Sequence, residues 1–152
     1  MSNTQIARGR EAHVLLVEDN DDDVELFKIG FAQARFAGQL HHVSDGVDCL
    51  AFLRKQGAFA NAPTPDLVLL DLNMPRQGGL ETLAQLVCDE DLKRLPVVIL
   101  SSSELDSDIL AAYRLRCSSF VVKPVDFEAF TKSINLLIDY WFTLAALPAR
   151  AA

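Results

Sequence analysis

Residues 67–75 read LVLLDLNMP, and the prediction of the fold starts from this segment. Its leading apolar residues form a short continuous run, which suits a strand that is covered on both faces, as in a parallel sheet. The run leads directly into an aspartate, Asp71. Similar short apolar runs recur along the chain, at residues 13–17, 97–100 and 120–122, with a weaker run, predicted to be an outer strand, at residues 40–43.

Segments with helical spacing of apolar residues lie between these runs. Val24, Phe27 and Phe31, for example, share one face of a predicted helix. Helix starts are predicted where a side chain can cap the first turn, at Asn20 or Asp21, at Ser103 with Asp106 as a capping box, and at Asp126. The alternation of about five strand and helix signals predicts a doubly wound α/β domain with right-handed crossovers.

The composition excludes several classes of function. The chain has 152 residues, and its net charge of −7 argues against binding to nucleic acid or to anionic membranes, which requires a basic surface. Neither a secretory signal nor a membrane-spanning run is predicted. Three widely spaced cysteines, Cys49, Cys88 and Cys117, are interpreted as buried thiols in a reducing compartment, so we expect a cytoplasmic protein.

Polar residues follow the apolar runs, at the point where each predicted strand ends. Glu18 and Asp19 follow the first run, Asp71 the run in LVLLDLNMP, Ser101 the next and Lys123 the last. Doubly wound sheets bind ligands beyond the carboxyl ends of their strands. The sequence therefore predicts that three acids, a hydroxyl and an ammonium group meet at one edge of the sheet.

Taken in order, these pieces resemble the receiver domain of two-component response regulators. The matching motifs are LLVEDN at 15–20, LVLLDLNMP at 67–75, VVILSSS at 97–103 and FVVKP at 120–124. Each motif alone is a weak signal, but four in order at strand ends are specific. The resemblance implies a flavodoxin-like, five-stranded parallel sheet with strand order 2-1-3-4-5 and helices on both faces.

The resemblance also assigns roles at the site. Asp71 is the expected phosphoacceptor, taking a phosphoryl group from a phosphohistidine of a partner. Asp19 and Asp71 would coordinate Mg²⁺ (or Mn²⁺) directly, Glu18 would hold a metal-bound water, and the Asn73 backbone carbonyl would complete the protein ligands, since Mg²⁺ takes few carboxylates and keeps waters. Lys123 would neutralise the other side of the phosphoryl group.

A switch pair is implied as well. Ser101 would bond a phosphoryl oxygen, and Phe120 would rotate into the space that Ser101 vacates, as a population shift between existing states. Phe120 lacks the hydroxyl of the Tyr often found there. The resemblance further implies a cis peptide bond before Pro124. We expect no enzyme in the ordinary sense, only Mg²⁺-dependent self-phosphorylation and autodephosphorylation.

The predicted C-terminal helix is apolar on nearly every side. One stripe of this helix is expected to face the core, but further apolar residues lie outside that stripe. We therefore predict that a second subunit covers them. The alternative is a monomer on which scattered apolar residues are exposed. The predicted homodimer interface contains Leu136, Tyr140, Trp141, Phe142 and Leu144. The tail IDYWFTLAALPA at 138–149, the loop at 55–65 and LDLNMP at 70–75 also resemble phytochrome-associated single-domain response regulators, which tend to dimerise in this way.

Other polar groups are interpreted as structural. Asp21, Asp22 and Asp23 are read as the first turn of a helix, where acidic residues complement the helix dipole. The three histidines are read as structural or surface residues, so the phosphoryl donor must be another protein. We predict a flexible tail at residues 1–12, a receiver domain at 13–145 and a C-terminal tail at 146–152.

The resulting interpretation is a single-domain response regulator of a phosphorelay. Its partners would be a sensor histidine kinase, such as a bacteriophytochrome, and a downstream protein or histidine phosphotransfer protein. Two alternatives stay open. One is a phosphorylation-independent pseudo-receiver that only binds partners; the other is an aspartate-nucleophile phosphatase, which expects a second acid where Asn73 stands.

Overall fold

A computed structural model describes residues 11–34 and 37–148. Five strands alternate with five α-helices, followed by one wide π-helical turn at Tyr140–Leu144, and a short 3-10 helix lies at Gly57–Phe59. The strands are β1 (Ala12–Val17), β2 (Gly38–Val43), β3 (Leu67–Asp71), β4 (Val97–Ser101) and β5 (Ser119–Val122). The α-helices are α1 (Asp21–Gln33), α2 (Gly46–Leu53), α3 (Gly79–Cys88), α4 (Asp106–Arg114) and α5 (Phe127–Asp139).

The five strands form one parallel sheet with the order β2-β1-β3-β4-β5, which confirms the predicted topology. Helices α1 and α5 cover one face, and α2, α3 and α4 cover the other. Strands β1, β3 and β4 lie in the middle and are covered on both sides, which explains their continuous apolar runs. Strand β2 is an edge strand and largely half-buried, as its weaker apolar run predicted.

Two of the predicted helix caps are confirmed and one is wrong. The Asn20 and Asp126 side chains accept hydrogen bonds from the backbone N–H groups three residues ahead, both at 3.0 Å. Helix α4 begins only at Asp106, so Ser103 and Asp106 form no capping box. The Ser103 hydroxyl instead donates to Asp108 at 2.6 Å and accepts from the Leu105 N–H, because the chain leaves β4 through an extended segment first.

The chain after α5 packs back onto its own domain. The wide turn at Tyr140–Leu144 is closed by the Ala145 N–H, which donates to the Tyr140 carbonyl at 2.7 Å. Phe142 is 1% exposed and lies in the core between the sheet, α1 and α5. Its assignment to a dimer interface is therefore wrong, because the widened turn directs the ring inward. Leu147, in the predicted tail, is buried in the same core.

Other predictions meet mixed outcomes. Strand β1 begins at Ala12, one residue before the predicted domain boundary, and residues 1–10 and 149–152 of the predicted tails lie outside the described residues. Within the described residues no peptide bond is cis, so the expectation for Pro124 is wrong; trans is the intrinsically favoured isomer. Cys49 and Cys117 are buried, whereas Cys88 is exposed at the end of α3.

None of the helices in residues 11–34 and 37–148 combines the length and the apolar character needed to cross a bilayer.

Candidate phosphorylation and metal site

The ends of β1 and β3 bring three carboxylates together. Glu18 and Asp19 follow β1, and Asp71 is the last residue of β3. These strands are parallel neighbours, with Val17 opposite Leu70, so their carboxyl ends reach the same edge of the sheet. One oxygen of each carboxylate lies within 4.8 Å of those of the other two. This donor set fits a hard divalent cation, which prefers carboxylate oxygens and relieves the repulsion between them.

Lys123 supplies the positive charge at this edge. It follows β5, and its backbone N–H donates to the Ser101 carbonyl at 2.7 Å, which fixes the start of its side chain beside β4. The Nζ atom donates a short hydrogen bond to Glu18, lies 2.9 Å from an Asp23 carboxylate oxygen and 3.4 Å from Asp71 Oδ1. The predicted meeting of acids and ammonium at one edge therefore agrees with the geometry.

Burial governs the acid–base properties of this cluster. Burial raises the pKa of Glu18 to about 7, although the hydrogen bond from Lys123 opposes the rise. Burial also raises the pKa of Asp71, against the attraction of Lys123. Burial alone would lower the pKa of Lys123, but its bond to Glu18 and the charge of Asp71 outweigh this, so the ammonium stays protonated.

The raised Glu18 pKa predicts a pH-dependent affinity for Mg²⁺. In the role expected for Glu18, its ionised carboxylate would hold a metal-bound water, so we expect the affinity to fall about tenfold from pH 8 to pH 6, where the ionised fraction of a group with a pKa of about 7 drops by that factor. Calorimetric titration at pH 6, 7 and 8 measures this. Glu18→Gln should flatten the profile, and equal affinities at the three pH values for the unaltered protein would contradict it.

The same proton affects stability without metal, in the opposite direction. The folded protein holds the Glu18 proton up to about pH 7, whereas the unfolded carboxyl loses it near 4.5. The folded state binds more protons in this interval, so this group makes the metal-free protein less stable as the pH rises from about 4.5 to about 7.

The predicted switch residues lie on β4 and β5. Ser101 ends β4 and is fully buried, and its hydroxyl accepts a hydrogen bond from the Ser103 N–H at 3.1 Å. Phe120 lies on β5 and packs, half-buried, against the core under α2, α3 and α4. Its N–H donates to the Tyr113 hydroxyl of α4 at 3.3 Å, which ties that helix to the strand. Pro124 is half-buried beside Lys123 in the chain.

The loop after Asp71 is held at its far end by a close backbone approach. Asn73, the predicted carbonyl ligand, is exposed in this loop. The Gly79 N–H donates to the Leu72 carbonyl at 2.8 Å. A Cβ atom at Gly79 would lie 2.2 Å from the carbonyl oxygen of Asp71, so only glycine allows α3 to start this close to the site.

An ion pair holds the same loop to α2. The Arg76 guanidinium donates two hydrogen bonds to Asp45, the buried residue that caps α2, and lies 3.1 Å from Asp48. Arg76 has φ of 60°, a left-handed conformation that costs free energy in a non-glycine residue. The bidentate pair therefore compensates a strained backbone and fixes the loop that carries Asn73.

Sequence reasoning missed two polar contacts at this edge. Asp23 was interpreted as a helix-dipole residue, yet it pairs with Lys123. Its position at the first turn was a usable signal, because helical side chains tilt toward the N-terminus and so toward the strand ends. His42, interpreted as structural or surface, donates from Nε2 to the Glu18 carbonyl at 2.7 Å and so holds the peptide that links Glu18 and Asp19.

The predicted interface residues divide by exposure. Leu136 and Leu144 are 62% and 77% exposed, and Tyr140 is half exposed. Trp141 is partly buried against the core and stacks edge-on with Tyr140, with 5.1 Å between ring centres. An exposed apolar face therefore remains on α5 and the turn after it, without Phe142.

Comparison with known sequences identifies a family pattern over most of the chain. The sequence model described as "Response regulator receiver domain" matches residues 14–135. The chain is 35% identical over 136 residues to the response regulator Rcp1 of Synechocystis sp., and the match covers 90% of this chain and 92% of that one.

Solved structures agree with the sequence matches. The crystal structure of the phosphorylated cyanobacterial phytochrome response regulator RcpA has a TM-score of 0.88 and 36% identity, over 92% of this chain and 100% of that chain. The crystal structure of the Mn²⁺-bound form of response regulator Rcp1 has a TM-score of 0.86 and 35% identity, over 91% of this chain and 99% of that chain.

Proposed function

Because the chain belongs to the response regulator receiver domain family, we propose that Asp71 accepts a phosphoryl group from the phosphohistidine of a sensor kinase. One observation carries this proposal: the Asp71 carboxylate lies in a cluster with Glu18 and Asp19, and the Lys123 ammonium is 3.4 Å from it. A relative of similar length and fold is a phosphorylated response regulator, which supports the same chemistry here.

The residues present fit a divalent metal, and we assign its ligands within this proposal. Asp19 and Asp71 would hold Mg²⁺ or Mn²⁺ directly, Glu18 would hold a metal-bound water, and the Asn73 backbone carbonyl would be a further ligand. When bound, the cation would neutralise phosphoryl oxygens. The Mn²⁺-bound relative supports a metal of this class.

The transfer itself needs little from the protein beyond placement and charge. An Asp71 carboxylate oxygen forms a bond to phosphorus while the bond from phosphorus to the donor imidazole nitrogen breaks, and the imidazole leaves with the electron pair of that bond. Lys123 stabilises negative charge on the transferring group. Hydrolysis of the aspartyl phosphate returns the protein to its starting state, so the chain acts as a switch and not as an enzyme that turns over an external substrate.

We assign the response to phosphorylation to Ser101, Phe120 and Pro124. The Ser101 hydroxyl would leave the Ser103 N–H and donate to a phosphoryl oxygen, and Phe120 would move with it. The Phe120 N–H is bonded to Tyr113 on α4, so a shift of β5 reaches the surface of that helix. Each contact is modest, so the effect is a population shift.

The partners follow from this chemistry. The donor would be a sensor histidine kinase. We assign it to the phytochrome class because the similar protein RcpA is a phytochrome response regulator. The recipient would be a downstream protein or a histidine phosphotransfer protein. The acidic chain, with a net charge of −7, suits neither nucleic acid nor an anionic membrane as a partner, and free thiols at three cysteines fit the cytoplasm.

A homodimer through α5 and the following turn completes the proposal. Leu136 and Leu144 leave large apolar side chains in solvent beside Tyr140, as an interface would require. Leu136→Glu is expected to convert a dimer into a monomer in light scattering at tens of micromolar, because it places a charge in the interface. Val47→Glu, at a 41% exposed residue of α2 on the opposite face of the sheet, is the control that should stay dimeric. A monomeric mass for the unaltered chain would contradict the dimer.

The main test is chemical phosphorylation. Acetyl phosphate with Mg²⁺ is expected to add one phosphoryl group, observed by intact-mass spectrometry, and EDTA is expected to prevent the addition. Asp71→Asn removes the nucleophile and should remain unmodified. Modification of Asp71→Asn at the unaltered rate would contradict the proposal. No modification at all would favour a pseudo-receiver, and sustained turnover of p-nitrophenyl phosphate would favour a phosphatase.

A further inference from the structure

We propose that Asp23 competes with a phosphorylated Asp71 for the Lys123 ammonium. In the unphosphorylated protein Asp23 is a positioning residue that keeps Lys123 on the α1 side of the site, and it releases Lys123 when a phosphoryl group is present. The inference rests on the proposed role of Asp71 as phosphoacceptor, and it assigns to an acid of the first helical turn a part in setting how strongly the site retains phosphate.

The contacts of Lys123 are unequal. Among the described residues, three carboxylates lie within 4 Å of Nζ, those of Glu18, Asp23 and Asp71. The bonds to Glu18 and Asp23 are close, whereas Asp71 Oδ1 is at 3.4 Å. An ammonium has three donor hydrogens, so two are committed to acids other than the phosphoacceptor. The third hydrogen is left for the Asp71 side, at 3.4 Å, so a shorter bond to a phosphoryl oxygen would pull the ammonium toward Asp71 and lengthen one of the two close bonds.

Asp23 is the partner that Lys123 can leave at lower cost. The Glu18 side chain is 1% exposed, so its carboxylate would stay buried without a counter-ion if Lys123 moved off. The Asp23 side chain is 26% exposed at the start of α1, so water can solvate it after the ammonium leaves. Its backbone remains fixed, because its N–H donates to Asn20 whatever the side chain does.

Electrostatic repulsion between Asp23 and the phosphoryl group weakens phosphate retention, as does the competition of Asp23 for Lys123. A phosphoryl group carries about −1.5 to −2 charges near neutral pH. Asp23 shares the ammonium with Asp71 and so adds a negative charge to the same neighbourhood. Removing the charge of Asp23 should therefore free Lys123 and also reduce repulsion toward the phosphoryl group. Both effects predict tighter retention of phosphate, not weaker.

The test measures affinity for beryllofluoride, a mimic of the phosphoryl group on aspartate, at saturating Mg²⁺ by ¹⁹F NMR titration. Asp23→Asn keeps the shape and removes the charge, and we expect it to tighten binding about three- to tenfold, the range for loss of one partly exposed ionic contact. Asp22→Asn is the matched control. It removes the same charge from the same turn, but Asp22 is exposed and is not one of the three carboxylates within 4 Å of Lys123 Nζ. It should change the affinity less than about twofold.

Two further readouts separate competition from a general effect. Mg²⁺ affinity without fluoride should fall in both variants and fall further in Asp23→Asn, because the released ammonium moves toward the carboxylates that would hold the metal, so tighter beryllofluoride binding cannot come from tighter metal binding. A crystal structure with Mg²⁺ and beryllofluoride should place Lys123 Nζ against a fluorine and beyond 4 Å from Asp23. If Asp23→Asn does not fold, which thermal unfolding reports, Asp23→Ser carries the same test.

Equal beryllofluoride affinities for the two variants, or weaker binding by Asp23→Asn, would overturn the inference while leaving the phosphoacceptor role intact. A complex in which Lys123 still contacts Asp23 would overturn it as well. Failure of the unaltered protein to bind beryllofluoride would instead refute the proposed function of Asp71, and the competition with it.

Discussion

Replacing Phe142 with alanine is expected to lower the free energy of unfolding by about 3–5 kcal/mol, the range for truncating a buried phenylalanine. The ring is 1% exposed and belongs to the core between the sheet, α1 and α5. Its loss removes apolar burial and leaves a cavity that the wide turn at Tyr140–Leu144 can fill only in part. Urea denaturation followed by circular dichroism measures the change.

Leu144→Ala is the matched control for Phe142→Ala. Leu144 lies in the same turn but is 77% exposed, so its truncation should change stability by less than about 0.5 kcal/mol. Both variants are compared at protein concentrations low enough for a monomeric mass, so that association does not contribute. Equal losses in the two variants would show that the turn does not direct Phe142 into the core.

Replacing Lys123 with alanine is expected to slow phosphorylation by acetyl phosphate about 100-fold, the effect of removing one preorganised charge partner of a transferring group. The ammonium lies 3.4 Å from Asp71 Oδ1, and its side chain is 9% exposed, so water replaces it poorly. The rate is measured by intact-mass spectrometry over time at saturating Mg²⁺.

The same variant should also be less stable at pH 8 without metal, by about 3–5 kcal/mol, because the buried Glu18 loses its counter-ion. The loss should shrink toward pH 6, where Glu18 with its raised pKa takes up a proton. Lys28→Ala, in an exposed pair with Glu25, removes an equal charge and should change neither property. A stability loss with an unchanged phosphorylation rate would contradict the role of Lys123 in the transfer.

The sheet and its acids were predictable for one physical reason. A strand covered on both faces must be apolar throughout, so β3 is visible in the sequence as a run, and its first polar residue, Asp71, marks the carboxyl end. Since parallel strands end at a common edge, the residues after each run had to meet. Glu18, Asp19 and Lys123 were placed correctly by that argument alone.

The periodic pattern of apolar residues could not predict two features of the structure. Phe142 was assigned to the dimer interface on the assumption that the α-helix continues past residue 139. The wide turn at Tyr140–Leu144 instead changes the rotation per residue, so the ring faces the core. The pair between Arg76 and Asp45 joins residues 31 positions apart, and its left-handed backbone at Arg76 carries no glycine to signal it. Such contacts depend on how loops approach one another, which neither hydrophobic spacing nor capping patterns encode.

The hydrogen bond between Tyr113 and the Phe120 N–H also bears on aggregation. Strand β5 ends the sheet on one side, and the outer backbone groups of such a strand can recruit a strand from another molecule. The Tyr113 hydroxyl occupies one of these donors from within the same chain. An incoming strand would have to displace it, so this tyrosine gives the protein some protection against uncontrolled polymerisation.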